Sequence, residues 1–208
     1  MHFFILAGSH REQAQSTKVA AYVQAQIERD YTGSTTYIHK LAETPLPLWN
    51  DGMWNAESEF HKDTSQIWNP IAKELDKADA LVVISPEWSG MATPGVKNFF
   101  LYANPTLLWN KPWLLISVSS GRGGRYPIAE LRMSSTKNTQ LCYIPQHVIV
   151  DNVEKVLEDH AAEAQDKADS YIRKRIIYSL SMLHAYAEWL QQVRAANIMD
   201  LEHYANGM

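Results

Sequence analysis

The chain has 208 residues, 46% hydrophobic and 20% charged, which excludes a disordered polymer and is ample for a full core. A net charge of −4 without any basic run argues against a nucleic-acid binder. Cys142 is the sole cysteine, so an internal disulfide is excluded and a reducing, cytoplasmic compartment is the natural reading. The N-terminal apolar run is too short and lacks the basic flank of a secretory leader, and no uncharged apolar window is long enough to span a membrane.

In chain order, residues 2–7 read as a short buried strand that breaks at Gly8-Ser9. Residues 16–29 predict a helix, with Ser16 as its cap and Val19, Ala20, Val23 and Ile27 on one face. Thr35 to His39 is a weaker strand. Residues 41–55 carry Pro45, Pro47, Gly52 and two tryptophans, and predict a long functional loop. A helix over 59–77 presents Phe60, Ile67, Ile71 and Leu75. Residues 80–84 are apolar throughout, as in a parallel strand covered on both faces. Thr93 and Pro94 then open a helix to about 103. A strand at 113–118, a helix over roughly 126–138, a strand at 147–150 and a long helix over about 162–195 complete the pattern. No repeat, linker or boundary is visible, so residues 1–208 are expected to form one domain. Strict alternation of strand and helix implies a parallel α/β sheet with right-handed crossovers. Five strands point to the flavodoxin-like order 2-1-3-4-5, whose ligands bind beyond the carboxyl ends of the strands at the switch between the first and third.

Three unusual loops fall on that edge. The first offers Ser9, Arg11, Gln15, Ser16 and Thr17 at a helix start, where unpaired N–H groups and the helix dipole suit a phosphate monoester. It lacks the lysine of a nucleotide-hydrolase loop and the GxGxxG of a dinucleotide site. The second, Pro86 to Gly95, presents Trp88 as a face on which a planar ring could stack, or as a packed loop aromatic. Glu87 there could tie the loop to a neighbour. The third, Ser119 to Gly124, has glycines that permit close approach of a flat ligand. Arg122 and Arg125 could meet a second phosphate, as on a nicotinamide nucleotide, or be solvated charges. No HxxxH or HExxH pair supports a metal, and Ser89 lies outside any GxSxG elbow.

Ala7-Gly8-Ser9-His10-Arg11 with Gln15-Ser16 resembles the first-loop "GSxR…S" pattern of the NAD(P)H-dependent FMN reductases. Residues 85–98, Ser-Pro-Glu-Trp-Ser-Gly-Met-Ala-Thr-Pro-Gly-Val-Lys-Asn, resemble that family's segment after the third strand, and 119–124 its glycine-rich loop. The resemblance implies a flavodoxin-like fold, bound FMN, NADPH or NADH as co-substrate, and a homodimer or homotetramer. By that analogy Ser9, Arg11, Gln15 and Ser16, with Thr17 beside them, would contact the FMN phosphate. Pro86, Glu87, Trp88, Ser89 and Gly90 would lie along the ring, and Ser119, Gly121 and Gly123 near its other edge. Tryptophan replaces the family's usual tyrosine at 88, and serine its usual asparagine at 89.

The function so implied is an oxidoreductase passing hydride from NAD(P)H to FMN and on to a quinone, azo compound, flavin or similar acceptor. It needs no catalytic side chain and no metal, since the cofactor carries the chemistry. Two rivals are a flavodoxin-like electron carrier without direct NAD(P)H oxidation and an FMN-weak regulatory homologue. An apolar patch from Trp49, Trp54, Phe99, Phe100, Tyr102 and Trp109 would, if exposed, seat a second subunit.

Overall fold

The computed structural model describes residues 1–158, 164, 166–204 and 207. Its strands are β1 (His2–Ala7), β2 (Thr35–Lys40), β3 (Ala80–Trp88), β4 (Met91–Ala92), β5 (Pro112–Val118) and β6 (Cys142–Val150). Its α-helices are α1 (Gln15–Asp30), α2 (Glu59–Lys77), α3 (Pro94–Tyr102), α4 (Pro105–Leu108), α5 (Arg125–Met133) and α6 (Lys167–Ala195). The parallel strands run in the order β2-β1-β3-β5-β6, and the two-residue β4 pairs antiparallel with the end of β3. Counting parallel strands alone, this is the flavodoxin-like 2-1-3-4-5 order.

Period-two alternation sends successive strand residues to opposite faces. Phe3, Ile5, Val82, Ile116 and Val148 meet α1 and α6 on one face. Phe4, Leu6, Val83, Trp113 and Leu115 meet α2, α3 and α5 on the other. The register lays Ile5 between Ile38 and Val82, and Val82 beside Leu114, so β1 ends beside Ile84 and β5 beside Pro86, while β3 runs past both to Trp88 at the edge that carries the loops.

Several boundaries differ from the sequence reading. Ser16 does not cap α1: the cap position is Ala14, extended at φ −100° with no side-chain bond, and Ser16 lies inside the first turn. The buried stripe of α2 keeps Ile71 and Leu75 as expected and adds Thr64 and Trp68, while Phe60 and Ile67 are only half-buried. β6 begins at Cys142, earlier than the apolar run at 147–150 suggests. Pro145 hides the strand's start, but β6 pairs only with β5, and the register slips between Trp113 and Leu115 where a proline is tolerated. Arg132 donates to the carbonyls of Ile144, Pro145 and Gln146 along this irregular stretch. α6 begins at Lys167 and not at 162, because Asp166 is extended and its carboxylate accepts the Asp169 N–H at 2.9 Å; positions 162, 163 and 165 lie outside the described residues.

The long loop after β2 is pinned to α3. Asn98 accepts the Trp49 N–H at 2.9 Å and donates to Pro47 O at 2.8 Å, and the Tyr102 hydroxyl donates to the same carbonyl. The expected aromatic patch is consequently smaller: Phe99, Phe100 and Tyr102 are buried, and the exposed apolar groups nearby are Leu48, Trp54 and Leu101.

Candidate active site

Each of the three loops is fixed by a neighbour. Gly8 ends β1 with its N–H donated to Ile84 O at 2.8 Å. A Cβ there would meet Ile84 O at 2.7 Å and run into the Val96 side chain, so only glycine lets the first loop cross this close to β3 and α3. The Gly8 carbonyl accepts the Thr93 hydroxyl at 2.6 Å. Thr93 stands at the cap position of α3 but directs its hydroxyl to this loop instead of to its own helix.

The second loop is a two-residue hairpin. Trp88 pairs with Met91, and the intervening Ser89 and Gly90 both have positive φ, 49° and 73°. Two consecutive left-handed residues match the twist of a tight hairpin. Glu130 of α5 accepts the Ala92 N–H at 2.7 Å and pairs with Lys97 at 2.9 Å. Partial burial opposes its ionisation, yet these two donors hold its carboxyl below the usual glutamate range. Sequence reasoning passed over Glu130 because nothing near it in the chain marks its partners.

The third loop is joined to the second through Glu87, whose carboxylate accepts the Gly124 N–H, and to β5 through the Ser117 hydroxyl, which donates to Gly124 O. The segment after β6 closes over it: Asn152 donates to Gly121 O at 2.8 Å and Val153 to Ser119 O at 3.1 Å.

A cavity of about 350 Å³ lies where these loops converge. Ser9, Arg11, Gln15 and Ser16 line it from the first loop, Pro86, Glu87 and Trp88 from the second, and Ser119 from the third. Of the other predicted residues, Thr17 is half-buried just inside α1, Ser89 and Gly90 form the hairpin tip, and Gly121 and Gly123 form the backbone behind Ser119; none of these five lines the cavity. The structure adds Val153 and Glu154 from a 3₁₀ turn (Val153–Lys155) whose polar sequence carries no loop signature.

The first-loop end has unmet hydrogen-bonding capacity. The Ser16 hydroxyl and Gln15 Oε1 are buried with no partner among the described residues, and the helix start beside them has no side-chain cap. Buried polar atoms are rarely left unpaired, and a helix N-terminus favours an anion. A bound phosphate monoester would accept from Ser16 and from the free N–H groups of the first turn. At the far end the indole of Trp88 is braced edge-on by His10, with ring centroids 4.5 Å apart. Among the described residues no cluster of His, Cys, Asp or Glu is able to hold a metal.

The model of the NADPH-dependent FMN reductase family matches residues 1–155. The chain belongs to this family. NADPH azoreductase of Bacillus sp. (strain OY1-2) is 23% identical over 153 residues, 74% of this chain and 78% of that protein. FerB, a flavoenzyme NAD(P)H:(acceptor) oxidoreductase from Paracoccus denitrificans, superposes with a TM-score of 0.66 at 19% identity, over 92% of this chain and 97% of its own. An FMN-dependent NADH-azoreductase from Bacillus anthracis str. Ames Ancestor, in complex with FMN, gives 0.58 at 11% identity, over 88% and 98% of the two chains. Membership in the FMN reductase family makes this an FMN-dependent NAD(P)H oxidoreductase with a flavodoxin-like fold, and the cavity's polar end fits the phosphate of that cofactor.

Proposed function

We propose that this FMN reductase holds its cofactor in the three-loop cavity and delivers the electrons of NAD(P)H to a small neutral or aromatic acceptor of the quinone or azo type. The buried Ser16 hydroxyl, without a partner among the described residues and beside an uncapped helix start, carries this reading, because it can donate to a phosphate and is unpaired without one. Ser9, Arg11, Gln15, Ser16 and Thr17 would surround the phosphate. Pro86, Glu87, Trp88, Ser89 and Gly90 would line one side of the ring, and Ser119, Gly121 and Gly123 the other. FMN, when bound, supplies the hydride-accepting and hydride-donating chemistry. The protein's residues position it: Trp88 gives a flat apolar wall, and Glu87 keeps the second and third loops at fixed separation by accepting the Gly124 N–H. With its carboxylate so engaged, Glu87 acts as a brace and not as an acid or base.

The azoreductase relative and the FerB structure support a small-molecule acceptor. No helix among the described residues is long and apolar enough to cross a membrane. We assign the protein to the cytoplasm on its single, half-buried cysteine, and read residues 1–208 as one unit because both cores share one sheet. Leu48 and Trp54, both exposed in the segment after β2, support a homodimer or homotetramer. The direct test is to purify the protein, add FMN, desalt, and add NADPH or NADH anaerobically. A retained yellow chromophore bleached by either nucleotide is expected; no retained flavin, or retained flavin bleached by neither, rejects the proposal.

A further inference from the structure

The segment that follows β6 forms a strap across the third loop. Its 3₁₀ turn sets Val153 and Glu154 in the wall of the flavin cavity. Both ends of the strap are left-handed, Asn152 at φ 45° and Leu157 at φ 60°. Asparagine tolerates that region, whereas leucine adopts it only where its surroundings enforce it. The strap is therefore held by bonds to the rest of the molecule and not by its own backbone preference. Three of them use its backbone donors: Asn152 to Gly121 O at 2.8 Å, Val153 to Ser119 O at 3.1 Å, and the buried Leu157 to the Asp169 carboxylate at 2.9 Å.

A further tether comes from α1. Lys18 Nζ donates to Val153 O at 2.7 Å, to Val156 O at 2.9 Å and to the Glu158 carboxylate at 2.8 Å. An ammonium has three N–H donors, and all three are engaged here. The Lys18 side chain is only 19% exposed, and a charge withdrawn that far from water needs acceptors to match. Two of the three acceptors are main-chain carbonyls that bracket the 3₁₀ turn, 135 and 138 residues away along the chain. The third, Glu158, is 47% exposed, so that ion pair is screened by solvent and contributes little. The grip lies in the carbonyls. Lys18 also stands two residues after Ser16, so one side chain joins the helix start at the phosphate end to the wall formed by Val153 and Glu154.

We infer that Lys18 is a positioning residue for the cofactor site: by gripping the turn it keeps Val153 and Glu154 in the cavity wall and slows the escape of bound FMN. The inference rests on reading that cavity as the flavin site. It is tested on the full chain by comparing wild type, Lys18→Met and Glu158→Gln in flavin fluorescence titrations, in FMN dissociation kinetics, and in hydrogen exchange over residues 150–158, β1 and β5. Lys18→Met should weaken FMN affinity roughly tenfold, the worth of a hydrogen bond from a charged group, with the loss in the dissociation rate. In the FMN-free variant, exchange should speed up over 152–157 more than over β1 and β5, a local loosening that a general loss of stability does not produce. Glu158→Gln should stay within about twofold of wild type in FMN affinity. A Lys18→Met protein that binds FMN as tightly as wild type, a weakening matched by equally faster exchange across β1 and β5, or a Glu158→Gln effect as large as that of Lys18→Met would overturn the inference. Should Lys18→Met fail to fold, the wild type decides: FMN should slow exchange over 152–157, and no slowing overturns the inference. A wild type that takes up no FMN overturns the flavin reading and this inference with it, whereas each of the other contrary results, obtained with a wild type that binds FMN, overturns this inference alone.

Discussion

At the scale of single residues, Ser16 separates a structural from a functional role by the sign of two effects. A cap serine stabilises its helix, and its removal costs about 1 kcal/mol. Ser16 is not the cap, and its buried hydroxyl has no partner among the described residues, so it costs desolvation in the cofactor-free protein. Ser16→Ala should therefore leave the melting temperature of the FMN-free protein unchanged or slightly raised, while weakening FMN affinity by roughly tenfold, the worth of one hydrogen bond to a charged group. Thermal melts and flavin fluorescence titrations check the two halves. The sequence marks this residue both as a phosphate contact and as a cap, and the structure overturns the cap: serine before an amphipathic run signals both, and only the backbone at Ala14 places the cap elsewhere. Ser9, Arg11 and Trp88 were legible for the same reason that the loops were, as polar or flat groups where a strand stops. Glu154 was not legible, because its role comes from a turn that folds back over Ser119 from more than thirty residues away.

At the scale of elements, strands with continuous apolar runs could be read directly, since both faces of a parallel sheet are covered. β6 was half-legible: its apolar end was visible, but Pro145 and the register slip concealed its start. The hairpin of β3 and β4 was hidden because Ser-Gly is a weaker tight-turn signal than Asn-Gly. That weakness has an energetic consequence. Ser89 sits at φ 49°, a region that asparagine tolerates better than serine. Ser89→Asn should stabilise the protein by about 0.5–1 kcal/mol, read as a higher urea midpoint at unchanged slope. A loss of stability would show that the serine side chain has a role that the geometry does not reveal.

At the scale of the whole molecule, the two cores on either side of the sheet set the pH range of stability, and the loops at one edge set the function. His39, on β2 and 3% exposed, has a buried Nε2 with no partner among the described residues, and burial lowers its pKa from 6.5 to about 4. The unfolded chain takes up this proton at higher pH than the folded one, so the folded state loses stability as pH falls from 6.5 towards 4. At about 1.4 kcal/mol per pKa unit, the loss approaches 3 kcal/mol. Chemical denaturation between pH 7 and 4.5 should show this slope in the wild type and a flatter one in His39→Leu. The fold places a polar, partly unsatisfied hollow where β1, β3 and β5 end, and the family match covers all three of those strands. The most direct measurement of what that hollow is for is a crystal structure of the protein with FMN. The expected density has the phosphate within hydrogen-bond reach of the Ser16 hydroxyl and the first-turn N–H groups, and the ring between Trp88 and residues 119–124. FMN bound elsewhere, or a phosphate that leaves the Ser16 hydroxyl unpaired, would contradict the three-loop site.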